Sequence, residues 1–131
     1  MSSVLAIISP TVIIAEDSRD TRHMLKRALE MKGYHVLEAK NGREAVDLAR
    51  THQTHLLIVD LNMPVLDGLE TIKNVRQLKP TSEQIPIVAI TAFDVYGMEQ
   101  AAVEAGCNEY MCKPFDLDEL DNKLKGLGFL I

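Results

Sequence analysis

The chain contains no tryptophan, only two cysteines, no run of basic residues, and no apolar stretch near the ~20 residues that a membrane span requires. Each absence removes a class of protein. Cys107 and Cys112 are too few for a disulfide framework, so the expected setting is a reducing compartment, the cytoplasm. A net charge of −5 with no basic patch argues against sequence-independent binding of nucleic acid. The opening MSSVLAIISP is apolar but has no positively charged start and no cleavage pattern. It reads as a lead-in to the first strand rather than a signal peptide, with an edge or self-association contact as its other use. Repeats, low-complexity tracts and linkers are also missing.

What is present suits one domain with a real core. The 131 residues are 47% hydrophobic and 25% charged, a balance that argues against disorder. Strand-like and helix-like segments alternate along the whole chain. TVIIA (residues 11–15), YHVLEA (34–39), HLLIV (55–59), IPIVAIT (85–91) and EYMC (109–112) read as strands. Between and after them, helices are predicted over 18–33, 43–50, 69–78, 94–106 and from 116 onward. Asn41-Gly42 opens the second, Pro80 closes the third, and Gly97 weakens the first turn of the fourth. In the last, Asp116 and Glu119 have N-cap and N3 spacing.

Five strands alternating with helices indicate a parallel α/β sheet covered on both faces. The first, third and fourth strands are almost wholly apolar and belong in the middle, whereas the mixed second belongs at an edge. This predicts a flavodoxin-like, doubly wound sheet of order 2-1-3-4-5, in which ligands bind beyond the carboxyl ends of the strands. The polar residues collect at that edge. The first strand ends in Glu16-Asp17, the third in Asp60, the fourth in Thr91-Ala92 and the fifth in Cys112-Lys113-Pro114.

Three neighbouring carboxylates repel one another unless a cation joins them, and Mg²⁺ suits oxygen ligands that leave room for water or phosphate. With the metal, Thr91 and Lys113 then form a clamp for the charge of a transferring phosphoryl group. Asp60, central among them, is the carboxylate placed to accept it.

In order along about residues 11–125, EDS, DLNMPVLDG, TA and KPF resemble the receiver domain of two-component response regulators. The resemblance implies that Asp60 takes a phosphoryl group from a phosphohistidine on a sensor histidine kinase or a histidine phosphotransfer protein. It implies Mg²⁺, with Mn²⁺ as a substitute, held by Asp17, Asp60 and the backbone carbonyl of Asn62, with Glu16 acting through water. Thr91 would bond the phosphoryl group and Lys113 would pair with it. Tyr110 would be the switch aromatic, turning inward as Thr91 moves and repacking the surface of the fourth helix, fifth strand and fifth helix. Glu16 stands where the family more often has Asp, and Asn62 and Phe93 occupy positions that tune phosphoryl lifetime.

The expected organisation is a lead-in over 1–10, a receiver domain over 11–127 and a tail over 128–131. Ending at Ile131, the chain is expected to act through protein contact or onward phosphotransfer, without nucleic acid or membrane. It is better described as a signalling module than an enzyme. The alternatives are a receiver excised from a larger regulator or hybrid kinase, a flavodoxin-like FMN electron carrier, and a small-molecule phosphatase. Against the electron carrier stand the acidic EDSRD loop, which would repel the FMN phosphate, and the missing tryptophan. A phosphatase would want an acid at position 62 rather than Asn62. Residue by residue, simpler roles compete: Asp17 as an N-cap, Asp67-Gly68 as a turn and helix entry, Cys107 as a loop thiol and Cys112 as packing. The four histidines share no spacing and are expected to be solvated or locally bonded.

Overall fold

A computed structural model describes residues 9–78 and 84–129. Five parallel strands, β1 (Thr11–Ala15), β2 (His35–Ala39), β3 (Leu56–Asp60), β4 (Ile87–Thr91) and β5 (Glu109–Cys112), form one sheet in the order β2-β1-β3-β4-β5. The helices are α1 (Arg19–Met31), α2 (Gly42–Thr51), α3 (Gly68–Leu78), α4 (Met98–Ala105) and α5 (Leu117–Gly126). This is the predicted doubly wound sheet. Strand alternation decides the two cores. Ile13, Leu57, Val59 and Ala89 face α2, α3 and α4, whereas Val12, Ile14, Ile58, Val88 and Ile90 face α1 and α5.

Helix starts follow local capping chemistry. Asn41 Oδ1 accepts from the Glu44 N–H at 2.9 Å, Asp67 Oδ1 from Glu70 at 2.9 Å, and Asp116 Oδ1 from Glu119 at 2.8 Å. The expected cap at Asp116 is therefore present, and Asp67 enters α3 as expected. The cap of α1 is Ser18, whose Oγ accepts from Thr21 N–H at 3.4 Å, so the capping role weighed for Asp17 falls to its neighbour.

The fourth helix corrects the sequence reading. It begins at Met98, not at 94, because Gly97 takes a left-handed backbone (φ +86°) that a continuous helix cannot include. Residues 95–98 instead form a turn, with Met98 N–H donating to Val95 O at 3.0 Å. Phe93, Val95 and Tyr96 consequently lie exposed. At the other terminus, Phe129 packs on Tyr34 with ring centroids 6.0 Å apart, so the segment set apart as a tail is docked at least that far. Residues 1–8 of the lead-in over 1–10, the Pro80 stop and residues 130–131 lie outside the described residues.

Arg76 ties three elements together at the amino edge of the sheet. Its Nε and Nη2 donate to Gly106 O at 3.0 and 2.6 Å, Nη1 to Ile85 O at 2.6 Å, and Nη2 to Asn108 Oδ1 at 2.9 Å. Replacing it by methionine keeps the stem but leaves those carbonyls short of a donor. Arg76→Met is expected to lower stability by about 2–3 kcal/mol, since bonds from a charged donor exceed ordinary ones. A urea midpoint within error of wild type would contradict this.

Candidate functional site

The register of the sheet lines up the side chains singled out in the sequence. Ala15 pairs with Val59, so Glu16 and Asp60, each one residue on, stand side by side at the carboxyl edge. Thr91 pairs with Cys112, which brings Thr91 and Lys113 to the same edge. Glu16 and Asp60 are 1% and 3% exposed, while Asp17 faces solvent. One carboxylate oxygen from each of the three lies within 4.8 Å of the others.

Lys113 sits between the two buried acids. Its Nζ is 3.0 Å from Glu16 Oε1 and 3.3 Å from Asp60 Oδ2. The remaining oxygens accept backbone N–H groups, Glu16 Oε2 from Ser18 at 3.0 Å and Asp60 Oδ1 from Asn62 at 2.9 Å. Arg22, buried on α1, donates to Glu16 O at 2.8 Å and to Glu38 Oε1 at 3.1 Å, which pins the β1–α1 turn. The Lys113–Pro114 bond is cis. Burial pushes the Glu16 carboxyl up to about 7; Asp60 adds to the rise, and the Ser18 N–H and Lys113 oppose it. Burial alone would lower the Lys113 ammonium, but Glu16 and Asp60 outweigh it and hold it above its ordinary value.

Three carboxylates against one ammonium leave the cluster short of positive charge. The donors are oxygen only, with no thiol or imidazole among them, and a cleft lined by Asp17, Asn62, Met63 and Asp67 opens beside them. Glu16, Asp17 and Asp60 therefore fit a hard divalent ion such as Mg²⁺. A consequence concerns pH. Because the folded state raises Glu16 above the ordinary carboxylate value, the metal-free fold loses stability as pH rises from about 5 to about 8. A Mg²⁺ ion held there would need the ionised acid and would bind more tightly over the same rise. The gain in Tm on adding Mg²⁺ is thus expected to be larger at about pH 8 than at about pH 6, and Glu16→Gln should flatten the difference. Equal gains at both pH values in wild type would exclude Glu16 from the metal site.

Thr91 and Tyr110 are engaged with partners that the sequence did not disclose. The fully buried Thr91 hydroxyl donates to Asn62 Oδ1 at 2.9 Å and accepts from Phe93 N–H at 3.0 Å. Tyr110 OH donates to Asp94 Oδ1 at 2.8 Å. No spacing rule pairs residues 29 or 16 positions apart, so Asn62 as the partner of Thr91 and Asp94 as that of Tyr110 had no sequence signal, nor did Arg22. Cys107 lies in the loop between α4 and β5, as expected, but is buried there, whereas Cys112, expected to be packed, is half-buried and faces Asp94. His52 bonds locally as expected, its Nδ1 lying 2.9 Å from Thr51 Oγ1, whereas His55 Nδ1 accepts from Thr11 N–H at 2.9 Å, a contact between residues far apart in sequence that the expectation did not include.

An acidic triad and a lysine converging at the carboxyl edge of a 2-1-3-4-5 sheet define a domain built to hold a cation and a phosphoryl group. Comparison with known proteins agrees. A family model described as the response regulator receiver domain matches residues 12–125. The response regulator MprA of Mycolicibacterium vanbaalenii is 38% identical over 116 residues, 88% of this chain and 49% of the relative. The chain thus spans about half the length of the curated relatives it matches. Two solved structures superpose closely. The Saccharomyces cerevisiae Ssk1 receiver domain, in complex with the histidine phosphotransfer protein Ypd1, has a TM-score of 0.82 and 31% identity, covering 95% of this chain and 94% of that one. Thermotoga maritima TrrA in complex with Mg(2+)-BeF has a TM-score of 0.79 and 30% identity, covering 90% and 98%. The chain belongs to the response regulator receiver domain family, whose members are signalling switches rather than enzymes acting on a separate substrate. Among the described residues, no helix is long and apolar enough to cross a membrane.

Proposed function

We propose that Asp60 accepts a phosphoryl group from a phosphohistidine on a sensor histidine kinase or histidine phosphotransfer protein. The observation that carries this reading is the convergence of Glu16, Asp17 and Lys113 on Asp60. In the transfer, an Asp60 carboxylate oxygen forms a bond to phosphorus, the P–N bond of the donor breaks, and the leaving imidazole takes up a proton. Lys113 pairs with the oxygens that carry the charge, and Thr91 turns its hydroxyl to them. Asp17, Asp60 and the backbone carbonyl of Asn62 would hold Mg²⁺, with Glu16 through water; Mn²⁺ is the expected substitute. When bound, the ion neutralises charge on the transferring group. Slow attack of water on phosphorus returns phosphate and the free Asp60 carboxylate.

The receiver unit would run over 11–127, in the cytoplasm, where the two unpaired thiols are stable. Its output is contact with a downstream protein or onward phosphotransfer, whether the unit acts alone or within a longer regulator. Exposed Phe93, Val95 and Tyr96 follow Thr91 in the chain, and Phe93 N–H bonds its hydroxyl, so such a protein would read its movement there.

The test is intact mass after incubation with acetyl phosphate, with and without Mg²⁺, on wild type and Asp60→Asn. Gain of one phosphoryl group that needs both Mg²⁺ and Asp60 is the expected result. A gain that persists in Asp60→Asn would move the acceptor elsewhere.

A further inference from the structure

Hydrogen bonds run stepwise from the acceptor carboxylate toward Tyr110. Asn62 N–H donates to Asp60 Oδ1 at 2.9 Å, and Asn62 Oδ1 accepts from Thr91 Oγ1 at 2.9 Å. Thr91 Oγ1 accepts from Phe93 N–H at 3.0 Å, and the next residue, Asp94, accepts from Tyr110 OH at 2.8 Å. Asp94 is free for this contact because α4 starts on Gly97, which carries no side-chain cap, so the acid three residues upstream caps nothing there. It bends back over β5 instead, where the Cys112 thiol also faces it.

We propose that Asp94 is a positioning residue for the switch, a latch that holds the half-buried Tyr110 ring in its resting position until Thr91 moves. The inference rests on the reading of Asp60 as phosphoacceptor and Tyr110 as switch aromatic, and adds the group that sets the resting state. A threonine hydroxyl has one proton to give. For it to reach a phosphoryl group on Asp60, it must leave Asn62 Oδ1 and carry the Phe93 amide with it. That displaces the backbone directly before Asp94 and draws the carboxylate away from the phenol. The ring is then released to turn. Conversely, the Asp94–Tyr110 bond opposes the movement of Thr91, so it favours the unphosphorylated arrangement by the differential strength of one hydrogen bond.

The experiment compares wild type, Asp94→Asn, Asp94→Ala and Tyr110→Phe, with two readouts. One is the rate of phosphoryl uptake from acetyl phosphate with Mg²⁺, followed by intact mass. The other is the ¹⁹F spectrum of protein labelled with fluorotyrosine, in which the three tyrosines give three signals and Tyr110→Phe assigns one of them. Asp94→Ala is expected to raise the rate about three- to tenfold, the factor that corresponds to one hydrogen bond of ordinary net strength. It should also move the Tyr110 signal toward its position in the phosphorylated wild type. Asp94→Asn keeps a carbonyl acceptor and should restore most of the wild-type behaviour. Adding Asp94→Ala to Tyr110→Phe should change the rate no further, because both remove the same bond.

An unchanged rate and an unmoved Tyr110 signal in Asp94→Ala would overturn the latch. So would a moved signal with an unchanged rate, since the contact would then not oppose the switch. Absence of phosphoryl uptake by wild type would instead overturn the assignment of Asp60, and the Tyr110 signal in unphosphorylated Asp94→Ala would still report whether the acid holds the ring.

Discussion

Replacing Lys113 by methionine is expected to destabilise the metal-free domain by about 2–3 kcal/mol at about pH 8, and by clearly less at about pH 6. Methionine keeps the apolar stem and removes the ammonium that stands 3.0 Å from Glu16 and 3.3 Å from Asp60. Both acids are almost fully buried, so neither can recover its lost partner from water. The cost is limited by a proton. Burial already pushes the Glu16 carboxyl up to about 7, and without the lysine it rises further, so at the lower pH the acid is simply neutral. Above that value it must ionise beside Asp60, and the full penalty appears. Mg²⁺ should return most of the loss at the higher pH. Urea unfolding at the two pH values, with and without Mg²⁺, measures all of this. A variant as stable as wild type at the higher pH without metal would mean that Lys113 does not neutralise the pair.

Gly68→Ala is expected to cost about 3 kcal/mol and to abolish phosphoryl uptake, although alanine is the better helix former. A Cβ at position 68 would lie 2.4 Å from Leu61 Cα and 2.6 Å from Asp60 O. Those are backbone atoms of the strand end that carries Asp60, so no side chain can swing aside to make room. Gly68 N–H also donates to Leu61 O at 3.2 Å, which draws the start of α3 onto this strand end. The substitution must push helix and strand apart, and with them the oxygens of Asp60 and the Asn62 amide that orients them. Urea unfolding together with intact mass after acetyl phosphate would read both effects. Wild-type uptake in a destabilised Gly68→Ala would show that the helix, not the strand end, absorbs the displacement.

Both substitutions act where the sequence was most legible. Continuous apolar runs at TVIIA, HLLIV and IPIVAIT mark strands buried on both faces, because a parallel sheet covered by helices leaves them no wet side. The mixed YHVLEA run marks an edge, and among the described residues β2 indeed pairs with β1 alone. Given that order, any polar residue at a strand's carboxyl end falls on one line, so Glu16, Asp17, Asp60, Thr91 and Lys113 could be gathered from spacing alone. The resemblance of EDS, DLNMPVLDG, TA and KPF to receiver domains supplied roles for them. Helix ends were legible where capping is local, as at Asp116 with Glu119.

The fourth helix shows where local signals fail. Strong helix formers follow Gly97 but do not precede it, and composition does not say whether the helix extends back across the glycine or stops there. The left-handed backbone at Gly97 answers that, and with it the fate of Asp94, Val95 and Tyr96.

What the sequence determined by itself was the order of the sheet, the edge on which the polar groups collect and the residues that stand there. These follow from periodicity and from burial, which act through near neighbours along the chain. Only the tertiary structure decided how those residues are held before any phosphoryl group arrives. Lys113 bridges Glu16 and Asp60, Thr91 rests on Asn62, and Tyr110 is fastened to Asp94. Each of these contacts joins residues far apart in sequence whose meeting depends on strand register and on the path of one loop. A hydrogen bond forms or fails within a few tenths of an ångström, and no pattern along the chain carries that information.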